Sequence, residues 1–157
     1  MGNAHPGSVS VTVRTSLLSF RLVGLCLFVA GSASAQSSEA RIEQVGSHNV
    51  ARVEQVGSAV YLTQAGDRNT AAVRQQGGDH LAHLDQSDGS SAEVLQTGAG
   101  HRLLGPGGAA AHQADASALV LAQHGAGQTA VLSQSHGAFA HITQHGAGNT
   151  VAAAQSL

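Results

Sequence analysis

Lysine and tryptophan are absent from this 157-residue chain, cysteine and methionine occur once each, and proline occurs twice. Aromatic residues are one Tyr and three Phe, and beyond residue 35 only Tyr61 and Phe139 remain. A conventional globular core of this length is filled with large side chains, so the shortage points to a thin, regular core of Ala, Val, Leu and Ile. The lone Cys26 excludes a disulfide framework and Cys-based metal or redox chemistry. Charge is sparse as well. Beyond residue 35, five arginines (Arg41, Arg52, Arg68, Arg74 and Arg102) stand against nine acidic residues, a net of −4. A mildly acidic chain with no lysine and no basic patch is not designed for nucleic acid.

What the chain has instead is glutamine on a beat. Gln44, Gln55, Gln64, Gln75, Gln86, Gln96, Gln113, Gln123, Gln134, Gln144 and Gln155 are mostly 9 to 11 residues apart. Reading back from each gives one template: polar or small, x, apolar, x, apolar, x, Gln. Ser38/Ala40/Ile42/Gln44, Asn49/Ala51/Val53/Gln55, Ser58/Val60/Leu62/Gln64 and Asn69/Ala71/Val73/Gln75 are successive copies. Alternation with period two is the strand signature, because successive side chains point to opposite faces. Its recurrence at a fixed interval marks a stacked repeat. Gly46, Gly57, Gly66, Gly77, Gly98, Gly125 and Gly146 each stand two residues after a glutamine, where a tight corner needs backbone freedom.

The first 35 residues read differently. Arg14 and Arg21 precede an apolar run at 22–30, and Ala33-Ser34-Ala35 follows as a small-residue cleavage site. That order predicts a secretory signal peptide over 1–35, too short to span a membrane. No later segment is long enough to cross a bilayer. The true translation start lies at Met1 or downstream of it.

The expected fold is all-β: a parallel β-solenoid of about six strand-turn-strand repeats over 36–157. The repeats fall at about 38–55, 58–75, 80–96, 101–113, 117–134 and 138–155. Each unit has one apolar face per strand and buries it only by stacking. Parallel stacking is favoured over hairpins because it makes the repeated residues neighbours. The unit 101–113 is degenerate. The Gln96 to Gln113 gap is 17 residues and holds Pro106, which cannot donate to a ladder. Either this rung is distorted or the stretch loops out.

Inward glutamines and asparagines are costly unless paired. Stacked about every 4.8 Å, each amide can donate to one neighbour and accept from the other, which pins the register. The residues expected to form this ladder are Gln44, Asn49, Gln55, Ser58, Gln64, Asn69, Gln75, Gln86, Gln96, Gln123, Gln134, Gln144, Asn149 and Gln155.

Gln44-x-Gly46-x-x-Asn49-x-Ala51-x-x-x-Gln55 and Gln64-x-Gly66-x-x-Asn69-x-Ala71-x-x-x-Gln75 resemble the curlin repeat without departure. The resemblance extends, with substitutions, over nearly all of 38–155. It implies a secreted subunit that self-assembles into extracellular curli-like amyloid fibres on a bacterial surface, supporting adhesion and biofilm. Alanine at Gln44, Asn49, Gln144 and Asn149 is expected to slow fibre growth strongly, and alanine at Gln113, in the degenerate unit, to change it little. The implied partners are copies of itself, other curlin subunits, a curli-type secretion pore with accessory proteins, and host or abiotic surfaces. Family nucleators tend to carry a basic last repeat, whereas this chain ends Val-Ala-Ala-Ala-Gln-Ser-Leu, which leans towards a fibre subunit. A minor nucleator, or a monomeric β-solenoid adhesin or binding module, is the alternative.

Other chemistry is scarce. Nine histidines beyond residue 35 (His48, His80, His83, His101, His112, His124, His136, His141 and His145) lie mostly between strands and read as solvated turn residues. No helical His-x-x-x-His and no Cys partner supports a metal site. His124 and His145 occupy equivalent turn positions one unit apart, which leaves a surface column open to them. Asp67, Asp79, Asp85 and Asp88 form an acidic middle without the Gly-Gly-x-Gly-x-Asp run of a calcium β-roll. No nucleophile-base-acid constellation stands out, so neither an enzyme nor a cofactor is expected.

Overall fold

The alternation becomes strands, and the strands stack in parallel. The computed structural model describes residues 9–16, 26–27 and 38–156. One sheet contains β1 (Val9–Ser16), β3 (Ser38–Val45), β5 (Ala59–Ala65), β7 (Leu81–Ser87), β9 (Arg102–Leu104), β10 (Ala111–Gln113), β12 (Thr129–Gln134) and β14 (Thr150–Gln155). The other contains β2 (Cys26–Leu27), β4 (Val50–Gln55), β6 (Thr70–Gly78), β8 (Ser91–Ala99), β11 (Ala118–Ala126) and β13 (Phe139–Ala147). The chain alternates between the sheets from β3 to β14, except that β9 and β10 follow one another in the first sheet and share one strand position. Apart from the two short strands β1 and β2, the segment expected to be a signal peptide lies outside the described residues. Among those described, no helix is long and apolar enough to cross a membrane.

Register is set by like on like. In the first sheet Ile42, Leu62 and Leu84 stack. In the second, Val53, Val73, Val94, Leu121 and Ile142 stack. Both columns point inward and meet in one continuous core. Outward positions are half-buried or exposed, as the burial alternation along β5 and β12 shows. Slipping any strand by one residue would exchange the two sets, which is why the register is so strongly specified.

The degenerate stretch is resolved by a split strand. β9 and β10 together occupy one strand position between β7 and β12, and residues 105–110 bulge out of it around a single 3-10 turn at Pro106–Gly108. Pro106 therefore sits where no ladder bond is needed. Core volume is kept by an exchange. Leu103 fills the column of Ala82 and Ala130, while Ala111 fills that of Leu84 and Leu132. Because 101–113 forms one strand position rather than a strand pair, the fourth turn closes with β11. The stretch expected as the unit 117–134 belongs to two turns, β11 to the fourth and β12 to the fifth. The stretch 138–155 is likewise divided between β13 and β14.

Candidate functional site

The most distinctive chemistry is the pair of amide ladders along the inner edges of the two sheets. In the first sheet, Gln44 Nε2 donates to Gln64 Oε1 at 2.6 Å, Gln64 to Gln86 at 3.0 Å, Gln86 to Gln113 at 3.2 Å, Gln113 to Gln134 at 3.3 Å and Gln134 to Gln155 at 3.0 Å. In the second, Gln75 donates to Gln96 at 2.7 Å, Gln96 to Gln123 at 2.8 Å and Gln123 to Gln144 at 2.7 Å. Every bond runs the same way along the stack, so one end of each ladder finishes in carbonyls and the other in amide hydrogens. Several of the amides also donate across a corner to a backbone carbonyl, as Gln64 does to Val50 and Gln86 to Thr70.

Gln113 is fully buried and bridges the turns on either side of the insertion, so the glutamine ladder runs unbroken through the degenerate unit. Its position in the glutamine beat was the available signal. Gln55 departs in the other direction. It is buried, yet its Nε2 and Oε1 make no hydrogen bond, so the expected Gln55–Gln75 link is missing.

A second column opens each strand. Asn49 Oδ1 accepts from the Asn69 backbone N–H at 3.0 Å and from Asn69 Nδ2 at 3.2 Å, and Asn69 Oδ1 accepts from the Ser90 N–H at 3.0 Å. On the opposite sheet histidine does the same work. His80 Nδ1 accepts from the His101 N–H at 3.2 Å, and His101 Nδ1 accepts from the Gln128 N–H at 3.3 Å. Each ring's Nε2 sits about one hydrogen bond from a carbonyl, His80 at 3.1 Å from Gln76 and His101 at 3.0 Å from Thr97. That arrangement requires the neutral tautomer with hydrogen on Nε2. The rings stack with centroids 5.0 Å apart and planes 5° from parallel. His80 and His101 are thus buried ladder members, not the solvated turn residues expected. His124 and His145 form an outer column, stacked at 5.0 Å. Among the described residues no His, Cys, Asp and Glu group could hold a metal ion.

The His80 environment carries a pH dependence. Burial first, and then the neighbouring His101, push its pKa below the ordinary histidine value, while the Gln76 carbonyl and Asp79 pull the other way. The unfolded chain therefore takes up a proton near pH 6.5 before the folded chain does. Stability from a neutral His80 is full above that pH and is lost as pH falls below it. The urea midpoint should fall between pH 7.5 and pH 5. His80→Asn, which can accept the same N–H as Asn49 and Asn69 do, should show a smaller fall.

All seven expected corner glycines have positive φ, from 57° at Gly57 to 124° at Gly98. At Gly46, Gly77, Gly98 and Gly125 an added Cβ would overlap the carbonyl oxygen of the glycine in the next turn. At these corners the stacked backbones approach too closely for any side chain. Outside, Glu54 bridges Arg52 on its own strand and Arg74 on the next, the latter at 2.9 Å. These bonds lower the Glu54 pKa, with Arg52 the largest cause. Because both arginines are exposed and Glu54 is only partly buried, Glu54→Gln should leave the urea midpoint nearly unchanged. Asp67, at a corner, is also held below the usual carboxylate range. It accepts from the Ser47 hydroxyl at 2.7 Å and the Ser47 N–H at 2.8 Å.

Residues 60–87, one full turn and the strand stacked on it, match the family described as the curlin associated repeat. No curated protein and no solved structure matches the chain. The matched turn carries the same glutamine, aliphatic and glycine columns as the turns stacked on either side of it. The likeness to the curlin associated repeat is thus shown for residues 60–87, and the shared columns carry the same pattern into the turns on either side.

Proposed function

We propose that the chain is a secreted structural subunit that polymerises end to end into extracellular, curli-like amyloid fibres, and that it is not an enzyme. The carrying observation is a ladder built for continuation. In β14 the inward residues Val151 and Ala153 are only half-buried, whereas Ala130 and Leu132 beneath them are fully buried. Gln155 is exposed at the donor end of its ladder. Backbone groups on the outer edges of β13 and β14 have no strand partner among the described residues. Monomeric solenoids protect such ends with covering units, and an open, flat edge templates another chain.

The glutamine and asparagine columns, with Ser58, would then serve as the fibre core, and the glycine corners would allow close stacking. Other curlin subunits would fit the same ends. A curli-type pore with accessory proteins would export the chain, and the fibre would attach cells to host or abiotic surfaces. The chain at tens of micromolar should become thioflavin-positive and give cross-β reflections near ~4.7 and ~10 Å. A stable monomer over days would overturn the reading.

A further inference from the structure

Resting on the fibre reading above and on removal of residues 1–35, which would free the β3 and β4 edges that β1 and β2 cover, we propose that each successive copy docks with a half-turn rotation about the stacking axis. The sheet ending in β13 would continue into β3 of the next copy, and the sheet ending in β14 would continue into its β4. The reason is a mismatch in strand count. From β3 onward one sheet has six strand positions, with β9 and β10 sharing one, and the other sheet has five. A copy added without rotation would set its β3 on β14. Its β4 would then lie two strand spacings beyond β13, leaving a gap of about 9.6 Å in that sheet. Both faces of the gap would keep unpaired backbone groups next to the core. A half turn removes the gap, because β3 then follows β13 and β4 follows β14.

The side chains favour the same arrangement independently. Aligning the ladder glutamines in the rotated copy places Gln44 on Gln144, Ile42 on Ile142 and Ala40 on Ala140. On the other sheet it places Gln55 on Gln155 and Asn49 on Asn149. The unrotated copy would instead put Ile42 on Ala153, Ala40 on Val151 and Ser38 on Asn149. Within the chain, Asn49 under Asn69 already shows the bond that Asn149 would make to Asn49 of the next copy. Gln55 is buried with its amide unpaired, and Gln155 Nε2 of the preceding copy would supply the donor its carbonyl lacks.

The two dockings pair different outward residues, which makes them separable by cross-linking. Glu43 of the next copy would lie beside Thr143 after a half turn and beside Ala154 without one. In-register parallel neighbours stand at a Cα separation that a disulfide can bridge. Fibres are grown from residues 36–157, which hold no cysteine, carrying either Glu43→Cys with Thr143→Cys or Glu43→Cys with Ala154→Cys, and then oxidised. The first pair should give covalent multimers, at least tenfold more than the second. Fibres that cross-link through the second pair, or through neither, would overturn the half-turn and leave the fibre reading intact. Failure of the unsubstituted 36–157 chain to form fibres would overturn both.

Discussion

Alanine at Gly98 is expected to lower stability by about 3 kcal/mol or more, while alanine at Gly127 lowers it by about 1 kcal/mol. Both glycines have positive φ, 124° at Gly98 and 62° at Gly127. The second value lies in the left-handed basin that an L-residue can enter at modest cost, and a Cβ there would meet nothing within 4 Å. The first lies outside every basin an L-residue favours. Its Cβ would also be driven into the backbone carbonyl of Gly125 in the turn above. A carbonyl held in a stacked corner cannot swing away as a flexible side chain can. Relief requires the two turns to separate, which would strain the ladder bond from Gln96 to Gln123. The urea concentration at which the β-sheet circular dichroism is lost reports both variants. Equal midpoints for the two would show that corner spacing does not limit this fold.

The amino-acid pattern carried most of this architecture because a solenoid repeats one local decision. Inward Ala, Val, Leu and Ile alternate with outward polar residues, and a glutamine closes each strand, so period and register are both visible in one dimension. The columns at Ile42–Leu62–Leu84 and Val53–Val73–Val94 follow directly from aligning the glutamines. The phase after residue 113 was hidden. Counting strands pairwise treats 101–113 as a unit, whereas two short segments separated by a bulge share one strand position. Only the three-dimensional exchange of Leu103 and Ala111 reveals it. His80 and His101 were obscured for a chemical reason. Histidine is usually solvated, but a neutral ring offers the acceptor that Asn49 and Asn69 offer, so it can replace them in the column. The missing Gln55–Gln75 bond has no sequence signal, since Gln55 fits the template as well as any other copy.

Leucine at Gln123 and leucine at Gln55 should have opposite effects on stability, although the two positions are the same in the repeat. Gln123 is buried between two partners, accepting from Gln96 at 2.8 Å and donating to Gln144 at 2.7 Å. Gln123→Leu would strand the Gln96 amide hydrogen and the Gln144 carbonyl inside the core. An orphaned buried group costs about 1–3 kcal/mol, and two of them outweigh the gain from a buried leucine, leaving a net loss of about 3 kcal/mol. Gln55 makes no bond to lose. Gln55→Leu exchanges an unpaired buried amide for an apolar side chain of similar volume, so stability should hold or rise by about 1 kcal/mol. Polymerisation should reverse the ranking for Gln55, because the first turn must then accept the incoming ladder of another copy. A leucine there offers no carbonyl to Gln155 of the preceding copy and should lengthen the thioflavin lag several-fold without weakening the single chain. A Gln55→Leu chain that is as stable as the parent and assembles at the parental rate would show that amide pairing at this end does not guide addition.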